Sequence, residues 1–123
     1  MQRYSWLNLI FILLLIVSCG KPLPTLDNIN LETWKGDLNG CKGKRLEMQQ
    51  SVTEQKVKLL ALDEKQLIKL LGRPDQNELY KRNQKFYTYF ISPAPSCNSS
   101  SSGSVKLIVR FNAMGLANEV TVN

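Results

Sequence analysis

The chain has 123 residues, a net charge of +6 and no histidine. That length allows one domain at most, and the missing imidazole removes the side chain most used as general base and metal ligand. Setting aside Arg3 in the leading segment lowers the charge to +5, an excess that favours anionic partners without naming one.

Residues 1–19 begin with a short polar stretch, continue through an apolar run from Trp6 to Val17 and end on small residues. A membrane-spanning helix needs about 20 apolar residues and this run is roughly half that, so a signal segment is the better fit. Ile16-Val17-Ser18-Cys19 resembles a bacterial lipobox. The resemblance implies that residues 1–18 are a lipoprotein signal peptide and that the Cys19 thiol carries diacylglycerol, with palmitate among the expected chains. Two or three chains hold a protein stably at a membrane, since each buried methylene contributes about 0.8 kcal/mol. Gly20 stands where aspartate would mark inner-membrane retention, so the implied address is the outer membrane, with the domain facing the periplasm. Residues 19–31, with Pro22 and Pro24 and no clear period, are expected to form the lipidated start and a tether. Extended, this tether reaches about 40 Å.

With Cys19 lipidated, Cys41 and Cys97 remain. Two thiols in an oxidising compartment are expected to form a disulfide, which on the chain-entropy reckoning stabilises the fold by about 4 kcal/mol. A reactive nucleophile or a metal site is the competing reading, weakened because no histidine stands by as base or ligand.

The domain is expected to span residues 32–123. Cys41, Met48, Val52 and Leu59 recur at helical spacing, with Gly40 and Gly43 blurring the start. "LDEKQLIKLLGRP" follows with a full set of helix signals: Asp63 to cap, Gln66 to complete a capping box, Gly72 for the last turn and Pro74 to stop it. From Leu79 the period changes to two. Residues 78–83, 85–91, 104–111 and 116–122 are the expected strands, with turns around Asn83-Gln84 and at "NAMG". The serine-rich run at 98–104 is expected to be a hairpin loop. The fold class expected is α+β, two helices packed on one face of a three- or four-stranded antiparallel sheet.

This order resembles the BamE-like, or SmpA/OmlA, group of small outer-membrane lipoproteins. Leu71-Gly72-Arg73-Pro74 is similar to its L-G-x-P motif, Tyr87-Thr88-Tyr89 sits at its W-x-Y, and Leu107, Val109, Phe111, Gly115 and Val120 follow its last two strands. The resemblance covers about residues 59–122 and implies a role in envelope or outer-membrane protein assembly, with barrel-assembly components as partners. Ala61-Leu62-Asp63 departs from the group's Gly-x-Thr/Ser entry, and residues 34–45 and the Cys97 loop lie outside its pattern, which suggests a separate branch.

No catalytic residue, cofactor or metal is expected: Asp63 is explained as a cap and Asp75 as a turn residue, and the serine run has no base beside it. Binding is the expected activity. Strand 85–91 is aromatic on both faces. If its phenylalanines turn inward, Tyr87 and Tyr89 join Lys106, Ile108 and Arg110 on an exposed face suited to a protein partner. In the alternative arrangement Trp34 and the tether fold back over these tyrosines, or the tyrosines are themselves core. A second expectation is anionic lipid contact through Lys42, Lys44, Arg45, Lys81, Arg82 and Lys85, worth about 1 kcal/mol per basic side chain near such a surface. An inhibitor-like module is a third reading, by fold analogy alone. Nucleic acid is excluded by compartment.

Overall fold

The structure, a computed structural model, describes Trp6 and residues 22–98 and 103–123. Most of the expected signal segment, Cys19, where lipidation is expected, and Ser99–Ser102 of the expected loop lie outside the described residues. No helix among the described residues is long and apolar enough to cross a membrane.

Helical segments come first and strands second. Helix α1 (Leu31–Gly36) is capped by the Asn30 side chain, which accepts from the Thr33 amide at 3.1 Å. A 3₁₀ turn (Leu38–Gly40) leads to α2 (Lys44–Glu47) and α3 (Gln49–Gln55), and a second 3₁₀ turn spans Lys56–Leu59. The helical spacing from Cys41 to Leu59 thus resolves into short pieces rather than one helix. Gly40 and Gly43 both hold positive φ, and Gly40 is pressed against strand backbone: a Cβ there would lie 2.8 Å from the Ser92 carbonyl oxygen. Cys41 therefore sits in the turn, while Met48, Val52 and Leu59 do face the core.

Helix α4 (Glu64–Leu71) forms as its signals require. The Gln66 amide donates to Asp63 Oδ1 at 2.8 Å, and the Asp63 amide donates back to Gln66 Oε1 at 3.0 Å. Gly72, at φ 82°, closes the C-terminus by donating to the Ile68 carbonyl.

Four strands follow as an antiparallel meander: β1 (Gln76–Tyr80), β2 (Gln84–Phe90), β3 (Lys106–Phe111) and β4 (Ala117–Val122), in that spatial order. The β1–β2 turn places Arg82 and Asn83 at positive φ, and Asn112 organises the β3–β4 turn by accepting from the Met114 and Leu116 amides. The fold is α+β, with the helices covering one face of the sheet. Trp34, Val52, Leu59, Leu67 and Leu71 pack there against Tyr87, Tyr89, Leu107, Val109 and Phe111.

Pro22 to Asn30, read from sequence as a tether, has neither helix nor strand, yet it is laid along the domain. Leu23, Leu26 and Ile29 pack against the core. The Asp27 amide donates to Gln55 Oε1 at 2.6 Å, Gln55 Nε2 donates to the Asp27 carbonyl at 2.6 Å, and Lys58 Nζ donates to the Thr25 carbonyl at 3.0 Å.

Candidate functional site

Strand register decides which side chains meet solvent. β3 alternates Leu107, Val109 and Phe111 inward with Lys106, Ile108 and Arg110 outward. Tyr87 lies opposite Val109 and Tyr89 opposite Leu107, so both tyrosines share the covered face. They are 4% and 0% exposed. The expectation that Tyr87 and Tyr89 belong to an exposed binding face is corrected: it is the phenylalanines that turn away from the helices. Trp34 instead covers Tyr89, with ring centroids 6.3 Å apart, and Phe111 meets Tyr87 edge-on at 4.8 Å.

Each buried tyrosine finds a polar partner, as an interior hydroxyl must. Tyr89 donates to the Gly72 carbonyl at 2.8 Å, tying the sheet to the end of α4. Tyr87 donates to Glu64 Oε1 at 2.7 Å, and Lys85 Nζ approaches the same carboxylate at 3.2 Å. Burial pushes the Tyr89 hydroxyl above its ordinary range, with Tyr87 nearby adding to the effect. Burial first, then the hydrogen bond to Glu64 and its charge, pushes Tyr87 from 10.0 up to about 12. A raised folded-state value means that the folded chain holds the proton more tightly. This contribution to stability is therefore intact below pH 10 and is lost as pH rises from 10 towards 12. Absorbance titration of tyrosinate should show a step near pH 12 that Tyr87→Phe removes; a Tyr87 step at pH 10 would contradict this assignment.

The outward face of the sheet carries the remaining expected binding residues. Reading across the strands, Glu78, Phe86, Arg110 and Glu119 form one row and Gln76, Thr88, Ile108 and Thr121 the next. Together with Tyr80 and Lys106 they line a shallow concavity of about 440 Å³. Tyr80 stacks edge-on against Phe86 at 4.9 Å, and Arg110 Nη2 reaches Glu119 Oε2 at 2.9 Å. Lys106 Nζ stands 5.5 Å above the Phe90 ring, which leaves Phe90 buried although it points to this side. Sequence reasoning missed Phe86 and Tyr80 as members of this face. The signal lay in β3, whose strict alternation, once paired with β2, sends Phe86 out beside Arg110.

The basic residues do not form one patch. Arg45 is fully buried, its Nη1 donating to Asp75 Oδ2 at 2.6 Å and to the Phe90 carbonyl at 3.1 Å, and its Nε to the Trp34 carbonyl at 2.9 Å. Its guanidinium lies 4.9 Å from the Trp34 ring centroid. Arg45 is therefore withdrawn from the expected anionic-lipid set. Lys42 and Lys44 are exposed near the C-terminal end of β2, since the neighbouring Gly40 abuts Phe90, Ile91 and Ser92. Lys81 and Arg82 occupy the turn at the other end of β2, and Lys85 is engaged by Glu64.

Two interior carboxylates complete the picture. Asp37, fully buried, accepts from the Lys42, Lys44 and Arg45 amides at 2.7, 2.8 and 3.0 Å. Asp75 accepts from the Asn39 and Phe90 amides as well as from Arg45. Asp37 thus braces the segment 37–45 internally, whereas Asp75 ties that segment, through Asn39 and Arg45, to Phe90 of the sheet. Cys41 and Cys97 are joined by a disulfide, with Cα atoms 5.3 Å apart, beside that segment. Among the described residues no group of His, Cys, Asp or Glu is arranged to hold a metal ion. Comparison of the sequence with known protein families, with curated proteins and with solved structures finds no match.

Proposed function

We propose that the chain is a lipid-anchored, non-catalytic binding module of the bacterial envelope, which meets a protein partner through the open face of its sheet. The observation that carries this reading is the uncovered concavity in which Phe86, Tyr80 and Ile108 are interspersed with Lys106, Arg110, Glu78 and Glu119. Aromatic and aliphatic side chains together with arginine on one open surface are a composition that protein interfaces favour. The balance of two acids and two bases suits a mixed-charge protein surface better than a uniformly anionic lipid layer, and the two basic ends of β2 offer no continuous patch for headgroups.

The envelope address rests on the lipobox-like Ile16-Val17-Ser18-Cys19 and is supported by the Cys41–Cys97 disulfide, the form such thiols take in an oxidising compartment. The outer membrane, a periplasm-facing domain and barrel-assembly components as partners follow the BamE-like resemblance and belong to the same proposal. A photo-crosslinking residue at position 108 in living cells tests the binding reading: a discrete protein adduct, lost on Arg110→Glu, is expected.

A further inference from the structure

In a chain anchored through Cys19, the docked leader segment would limit how far one corner of the domain can lie from the membrane. Thr25 and Asp27 are held to α3 and the following 3₁₀ turn by Gln55 and Lys58. Five residues lie between Cys19 and Thr25, and the six steps span about 20 Å at full extension. An anchored domain therefore holds this corner within reach of the bilayer, and the chemistry of the corner decides whether it makes contact.

The corner has the chemistry for that position. In a 3₁₀ turn residues i and i+3 stand above one another, so Val57 and Leu60 share an edge while Leu59 enters the core at 2% exposure. Val57 is 63% exposed and Leu60 42%. Lys58 reaches the Thr25 carbonyl along the docked segment. Val57 stands between Lys56 and Lys58 with Leu60 beyond, an exposed aliphatic pair edged by basic residues that suits a bilayer interface, although the Lys58 ammonium also faces the Asp27 carboxylate at 3.7 Å. The adjoining Ala61 amide donates to the Ala117 carbonyl at 2.8 Å, which places this corner in the helical layer at the β4 edge.

We propose that the Lys56–Leu60 turn is the bilayer-facing contact of the anchored protein, occupied by the lipid surface, so that the sheet's open face points away from the membrane. This rests on the lipid-anchor reading of Cys19. The test uses the protein purified from membranes and placed in nanodiscs containing a gadolinium-chelating lipid. Amide relaxation enhancement is expected to be several-fold greater at Val57 and Leu60 than at Ile108 and Arg110, and Val57→Glu with Leu60→Glu is expected to abolish that difference while leaving the rest of the spectrum unchanged. Equal or greater enhancement at Ile108 and Arg110, or a difference that survives the double substitution, overturns the proposal. The mass of the Cys19 peptide from the same preparation reports separately on the anchor. If Cys19 carries no lipid, the anchor reading fails by itself, and the same measurement on chain coupled through Cys19 to a maleimide lipid still decides whether this turn faces the bilayer.

Discussion

Asp75→Ala is expected to lower the unfolding free energy by about 3–5 kcal/mol, because it leaves the Arg45 guanidinium charged, buried and without its counter-ion. The side chains of the pair are only 1% and 2% exposed, so water cannot take over the lost contact. Typical domains have about 5–15 kcal/mol in all, and the single change therefore brings this one close to unfolding. The pair is not simply an added stabiliser, however. Removing both charges while keeping an acceptor, as in Arg45→Met with Asp75→Asn, is expected to recover most of the loss. The asparagine oxygen still accepts a backbone N–H where Asp75 receives Asn39 and Phe90, and a methionine fills space against Trp34 and Tyr89. Urea unfolding of the two single variants and the double variant gives the coupling directly. A double variant as unstable as the sum of the two singles would show that the pair is not coupled as described.

Loss of the Cys41–Cys97 disulfide is the second large effect. The bond spans a sequence separation of 56, and opening such a loop costs about 4 kcal/mol on the chain-entropy reckoning. For a domain of this size that corresponds to a fall in the thermal midpoint of roughly 20 °C. Most of the effect acts on the unfolded chain, but the folded state is touched too. The bond secures the segment that carries Asp37 and Arg45 against the end of β2, where Gly40 meets the Phe90, Ile91 and Ser92 carbonyls. Replacing both cysteines by serine and adding reductant to the parent chain should produce equal shifts. A midpoint that reductant leaves unchanged would remove the disulfide from this account.

Local signals in the sequence located what depends on neighbours along the chain. The capping box of Asp63 and Gln66, the positive-φ closure at Gly72 and the turn at 112–115 all rest on contacts a few residues apart, whereas the strand expected over 78–83 ends at Tyr80 and its turn falls at Lys81–Asn83. Apart from the Cys41–Cys97 bond, which the cysteine count implied, what depends on pairing across the fold was not legible. β2 is aromatic on both faces, so its alternation alone does not say whether phenylalanines or tyrosines turn inward; the register with β3 decides, and Tyr87 goes inward beside Val109. Arg45 sits in a run of basic residues that looks like a solvated face, and Asp75 follows a proline like a turn residue. Their union across 30 positions is a tertiary event. The docking of Pro22–Asn30 entered only as an alternative for the same reason, since its apolar side chains have no period and find their places only along the assembled core.

The corrected orientation of β2 changes what the proposed binding face is made of. Tyr87 and Tyr89 become part of the core and reach Glu64 and the Gly72 carbonyl, while Phe86 and Tyr80 join Ile108 and Arg110 outside. Substituting Tyr87 would therefore disturb the fold, whereas Phe86, Ile108 and Arg110 can be changed at the surface. The central claim is that this open face, and not the helical layer, is where a partner protein binds. The most direct measurement places the same photo-crosslinking residue at Ile108 and, in a parallel strain, at the exposed Thr53 on α3. The expected result is a discrete protein adduct from position 108 that disappears with Arg110→Glu, and none from position 53. An adduct from position 53 alone, or one from position 108 that Arg110→Glu leaves untouched, would contradict the claim.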